Sequence, residues 1–213
     1  LMNGAKVYDR RTDKTLGRAE IPWETVEAVI DFLEPLHCSV DCFQNDRGLM
    51  ARKYYDRLEQ YVTHPPSFAL VKRTREPVDD LKEAVLAGGG SVQKLQAYFP
   101  DLELRPKVME QCKLVFPDLV QAISMPANLE FNAPDATKGN GLRTLCRCLG
   151  IDPREAAAFG DGTNDLSLLQ EAGIGVAMAN GAPETLAAAD LTAPSNEEDG
   201  VAQILSRWFP PNT

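Results

Sequence analysis

Phe159-Gly160-Asp161-Gly162-Thr163-Asn164-Asp165 is the stretch on which the reading of this chain turns. Before it, Ala156 to Phe159 is a short apolar run with strand character; after it, Asp165 to Ala172 has a helical pattern and Ile174 to Met178 is a second short apolar run. Strand, helix and strand in that order predict a right-handed βαβ unit. Two carboxylates and an amide then fall at the C-terminal end of a strand, where open α/β sheets bind ligands. Asp161 and Asp165 can face one point across a tight turn, and hard oxygen donors of that kind suit magnesium rather than zinc. Gly160 and Gly162 are expected to let the backbone turn sharply. A structural role accounts for the same residues: Asn164 or Asp165 caps the helix while Asp161 is a solvated turn residue. The turn taken alone leaves both readings open.

Working outward, Leu129 to Asn132 reads as a strand, followed by a loop and a helix from Gly139 with Leu142, Leu145, Cys146 and Leu149 on one face and Gly150 as its stop. Lys138 stands at the start of that helix, where a cation opposes the helix dipole. An anion held between the lysine and the free backbone N–H groups removes the penalty, since helix N-termini bind phosphate well; a solvated lysine is the alternative. Downstream come a small helix over Pro183 to Ala189, an extended piece at Leu191 to Ala193, and a terminal helix from Val201 to Phe209 capped within Asn196 to Asp199.

Towards the N-terminus, Leu1-Met2-Asn3-Gly4-Ala5 reads as the end of a buried strand, and Lys6 to Tyr8 with Leu16 to Ile21 as a hairpin. Pro22 opens a helix carrying Val26, Val29, Ile30 and Leu33 at helical spacing. Strand-like and helix-like stretches then alternate: Cys38 to Phe43, Arg52 to Val62, Phe68 to Arg73, Val78 to Ala87, Val92 to Phe99 and Pro106 to Leu114. This order predicts an α/β module. Gly88-Gly89-Gly90 is read as a C-cap and turn.

The formal net charge of -9 over 213 residues repels phosphate backbones and anionic lipid, so nucleic acid and membrane surfaces are poor partners and an anionic substrate needs local binding groups. Five cysteines make no even disulfide framework, and neither Cys38/Cys42 nor Cys146/Cys148 has the second pair that a zinc site requires. Reduced thiols, the shortness of the apolar stretches and the absence of a signal pattern give a cytoplasmic expectation.

Taken in order, Lys138-Gly139 with Leu142 and Leu149-Gly150-Ile151, the acidic stretch from Gly160 to Leu169, and Ala172-Gly173, Val176-Ala177-Met178, Asn180, Ala182-Pro183 and Asp199-Gly200-Val201 resemble the haloacid dehalogenase (HAD) superfamily. Asn3-Gly4-Ala5 followed by Val7-Tyr8-Asp9 is similar to the family's strand end and hairpin before the cap. The resemblance covers nearly the whole chain and is greatest to the Cof-type branch. It implies an α/β fold, a HAD-like Rossmannoid core with an inserted α/β cap, divided here into residues 1–20 (core remnant and hairpin), 21–128 (cap) and 129–213 (C-terminal part of the core).

The resemblance further implies a Mg2+-dependent phosphatase acting on a small phosphorylated metabolite such as a sugar phosphate. An aspartate attacks the phosphoryl group, water hydrolyses the resulting aspartyl-phosphate, and a second aspartate serves as acid and base. Carried over by position, Asp161 is a metal ligand, Asp165 completes or supports the metal shell, Asn164 orients the phosphate or a metal-bound water, and Lys138 neutralises the phosphate. Asn196 is a weaker candidate around the metal. The family's Asp-x-Asp-Gly-Thr motif and its hydroxyl motif are not found in the sequence, so a missing N-terminal segment is expected to carry the nucleophile, with this chain alone inactive and a retained N-terminal fragment as a partner. Asp13-Lys14-Thr15-Leu16-Gly17 resembles another phosphorylated-aspartate motif, but the residues before Asp13 are polar where a buried strand is required. The alternative reading is a non-catalytic HAD remnant that binds a phosphorylated ligand or a protein partner.

Overall fold

The computed structural model describes residues 1–210. They form two compact units, one made of Asn3–Gly17 with Thr137 onward, the other of Arg18–Ala136. Strands β1 (Lys6–Asp9) and β2 (Lys14–Arg18) make a two-stranded sheet of the first unit. The residues before them are not a strand: Met2–Gly4 is a 3-10 turn, with Asn3 at φ 58° and Gly4 at φ 102°. Consecutive left-handed residues cannot lie in a pleated ladder.

The second unit contains α1 (Trp23–Leu33), β3 (Ser39–Gln44), β4 (Arg47–Ala51), α2 (Arg52–Tyr55), α3 (Pro65–Thr74), β5 (Arg75–Val78), α4 (Leu81–Ala87), β6 (Lys94–Tyr98), α5 (Leu104–Val115), β7 (Val120–Ala122) and β8 (Asn128–Asn132). Its six strands run in the order β5-β4-β3-β6-β8-β7, antiparallel except for β4 with β5. Val26, Val29, Ile30 and Leu33 of α1 are buried, as their spacing predicts. Phe68 to Arg73, placed among the strand-like stretches, lies inside α3, whose start at Pro65-Pro66 suits proline's fixed φ. Strand β4 was not anticipated: Asn45 and Asp46, at φ 49° and 66°, make a tight hairpin turn after β3, a conformation that these two residue types tolerate. Strand β8 pairs with β6 and β7, and the chain passes from the second unit to the first at Ala136–Thr137.

One face of the larger sheet is polar yet buried. Asp41 on β3 lies opposite Gln96 on β6, which lies opposite Glu130 on β8, and all three are almost inaccessible to solvent. Arg75 Nε donates to Asp41 Oδ2 at 2.9 Å, and Lys94 Nζ to Glu130 Oε1 at 2.8 Å. Burial pushes the Asp41 carboxyl up, against the opposing effect of Arg75.

The chain returns to the first unit with α6 (Lys138–Leu149), β9 (Ala157–Gly160), α7 (Leu166–Glu171), β10 (Ile174–Met178), α8 (Pro183–Ala188), β11 (Leu191–Ala193) and α9 (Gly200–Trp208). Its sheet is parallel, in the order β11-β10-β9, so β9, α7 and β10 form the expected βαβ unit. Val176, Met178, Ala193 and Ile204 make its core with Phe159 and Trp208 packed against them. On α6 the apolar face is only partly used: Cys146 is buried while Leu145 and Leu149 are exposed. Asp199 precedes α9 at φ 55° and makes no side-chain cap.

Candidate active site

The acidic turn follows β9 directly. Thr163–Asp165 is a 3-10 turn leading into α7, so the helix begins one residue later than its sequence suggests. Asp165 is buried, and its carboxylate organises the turn. Oδ2 accepts from the N–H groups of Asp161 and Gly162, each at 3.0 Å, and Oδ1 forms an ion pair with Lys138 Nζ. Burial alone would raise the Asp165 carboxyl; Lys138 and the two N–H groups more than offset it and hold it below the usual carboxylate range. Gly160 serves by lacking a side chain rather than by unusual dihedrals, because a Cβ there would stand 2.4 Å from Asp165 Cβ.

Lys138 is the first residue of α6, whose N-cap Thr137 accepts from Asn140 N at 3.1 Å. The lysine opposes the helix dipole, and the counter-charge is a carboxylate of the chain itself, Asp165. Gly139 lets α6 approach α7: its N–H donates to Ser167 Oγ at 3.2 Å, and a Cβ on it would stand 2.4 Å from Ser167 O. The Lys138 side chain remains about one-third exposed, so its other N–H groups can face an anion.

Both carboxylate oxygens of Asp165 are engaged within the turn and with Lys138. Asp161 is exposed, and among the described residues its carboxylate has no hydrogen bond or ion pair. Its backbone is held separately, Ala182 N donating to Asp161 O at 2.8 Å. Asn164 Nδ2 donates to Asn3 Oδ1 at 3.2 Å. Asn196 lies elsewhere, its N–H donating to Asn180 Oδ1 at 3.0 Å. Among the described residues no three His, Cys, Asp or Glu side chains converge as a metal cluster. The free carboxylate of Asp161 and the amide oxygen of Asn164 are nevertheless hard donors of the kind that magnesium takes.

Sequence reasoning missed Asn3 and Ser167. The Asn3-Gly4 pair is a turn signal, and the neighbouring apolar residues masked it; Ser167 carries no local signal.

This geometry, a lysine tied to an acidic turn at the C-terminal end of a parallel strand, accompanies a match over residues 1–205 to a family described as haloacid dehalogenase-like hydrolase. The chain belongs to that family. The putative phosphatase YxeH of Bacillus subtilis is 29% identical over 209 residues, covering 95% of this chain and 72% of that protein. A stretch of 80 residues, 38% of this chain, is 48% identical to the chloroplastic endoribonuclease YBEY of Arabidopsis thaliana, and it spans only 14% of that protein. The solved structure of a haloacid dehalogenase-like hydrolase from Bacteroides thetaiotaomicron superposes with a TM-score of 0.78 at 25% identity, over 97% of this chain and 74% of that one. The α/β HAD fold and the Cof-type membership expected from the motifs are therefore found. Among the described residues no helix is long and apolar enough to cross a membrane.

Proposed function

We propose that the intact protein is a magnesium-dependent phosphoric monoester hydrolase acting on a small phosphorylated metabolite such as a sugar phosphate. The observation that carries this reading is the division of labour at the acidic turn. Asp165 fastens Lys138 to the turn, and among the described residues the neighbouring Asp161 carboxylate is left exposed and unengaged. An ammonium and a free carboxylate at one turn suit a phosphate and a hard divalent cation together.

In this reading Asp161 and Asn164 hold the cation or its water, Lys138 neutralises the phosphoryl oxygens, and Asp165 keeps Lys138 and the turn in place. Bound magnesium would supply charge neutralisation to the transferring group. Neither the attacking aspartate nor the aspartate that acts as acid and base is among these four residues in this reading. With a net charge of -9 the long-range field disfavours an anionic substrate, so Lys138 has to attract it locally. The same charge opposes nucleic acid as a partner.

The test is hydrolysis of a panel of phosphate monoesters by the full-length protein, with and without magnesium, alongside Asp161→Ala. Magnesium-dependent release of phosphate that Asp161→Ala abolishes supports the reading. Tight binding of phosphorylated ligands without turnover would favour the non-catalytic remnant.

A further inference from the structure

Asn3 holds a backbone conformation that residues other than glycine seldom adopt, at φ 58° and ψ 22°. Asparagine tolerates this region better than most residues but still less well than glycine. The next residue leaves no freedom to relax: Gly4 is at φ 102°, and a Cβ on it would stand 2.0 Å from Thr137 O. Thr137 is the cap of α6, immediately before Lys138. A Cβ on Gly141, one turn into the same helix, would lie 3.5 Å from Gly4 Cα. The Asn3-Gly4 turn is therefore pressed against the helix end that presents Lys138.

From that position the Asn3 side chain reaches the acidic turn, its Oδ1 accepting from Asn164 Nδ2 at 3.2 Å. An amide whose nitrogen is fixed has its oxygen fixed as well. Asn164 Oδ1 lies 2.7 Å from where a Cβ of Gly162 would be, so it sits over the Asp161-Gly162 backbone, and glycine leaves room for it. Two separate loops thus meet through one side-chain hydrogen bond.

We propose that Asn3 is a positioning residue of the cation and phosphate site: it holds the Asn164 carboxamide so that oxygen, rather than N–H, faces the Asp161 turn. The inference rests on the phosphatase reading and adds a residue and an orientation to it. Asn3 touches neither cation nor substrate; it acts through Asn164 as an outer-shell partner acts on a ligand. The left-handed backbone is the cost of aiming this side chain, and its carboxamide is what a glycine would lack.

The experiment uses Asn3→Gly, Asn164→Ala and the double variant in the full-length protein, reading magnesium affinity by calorimetry and the Asn164 side-chain amide by NMR. Glycine accepts φ 58° without strain, so Asn3→Gly should fold with an undiminished Tm. Its magnesium Kd should rise about tenfold, and the Asn164 side-chain resonances should shift and broaden. In the Asn164→Ala background Asn3→Gly should add nothing, because the two residues act as one unit. Unchanged Asn164 resonances in Asn3→Gly overturn the proposal, as does an equal loss of affinity with and without Asn164. If Asp161→Ala leaves magnesium binding unaltered, the phosphatase reading fails, and the Asn164 resonances alone then decide the role of Asn3.

Discussion

Lys138 and Asp165, 27 positions apart, form an ion pair in which the same carboxylate also receives the N–H groups of Asp161 and Gly162. The folded carboxyl therefore titrates below its unfolded value. Its contribution to stability is complete above about pH 4 and is lost as the pH falls through the folded value. Urea unfolding between pH 2 and 7 should show this acid loss, and Asp165→Asn should flatten it while costing about 1–3 kcal/mol at neutral pH. An unaltered pH profile in Asp165→Asn would show that the pair contributes nothing.

Gly160 is fixed by the approach of Asp165 Cβ to within 2.4 Å of where its own Cβ would be. Gly160→Ala should displace the acidic turn, at a cost of about 1–3 kcal/mol for overpacking. Thermal unfolding measures the cost, and the Asp161 and Gly162 amide resonances report the displacement. Gly89→Ala is no equivalent control, because φ at Gly89 is 108°; Ala187→Ser on α8 is a milder comparison.

Arg75 and Asp41 are both almost wholly buried, with side-chain exposures of 3% and 0%. Arg75→Met leaves a buried carboxylate unpaired and should cost about 3–5 kcal/mol, whereas Arg75→Met with Asp41→Leu should recover most of that loss. Denaturant unfolding of the three variants measures the difference. Equal losses in the single and double variants would contradict a penalty arising from an uncompensated charge.

The five cysteines are free, and only Cys148 is exposed. Burial pushes the Cys38 thiol up to about 12 and that of Cys112 to about 11. A thiol reagent at pH 8 should therefore modify Cys148 rapidly and the other cysteines only on unfolding, since the thiolate is the reactive form. Mass spectrometry of the native and denatured protein counts the labels.

The sequence alone determined the βαβ unit around the acidic turn, the helix of Lys138, the α/β class and the family, because apolar periodicity, glycine placement and motif order are local or linear properties. It also brought Lys138, Asp161, Asn164 and Asp165 forward as candidates. It could not apportion their roles. Whether a carboxylate is free or spent depends on what lies beside it in space, and Lys138 reaches Asp165 only because Gly139 lets α6 settle against α7. The N-terminal residues misled for the same reason: an apolar run signals a strand, but Gly4 against Thr137 makes Asn3 a turn residue facing Asn164. Strand β4 was hidden by the brevity of its hairpin turn; strand β8 was legible as a strand, but not the sheet it joins, because its ladder partners, β6 and β7, are chosen by sheet order. Composition sets which elements can form; close packing between distant segments sets which polar atoms remain available for chemistry.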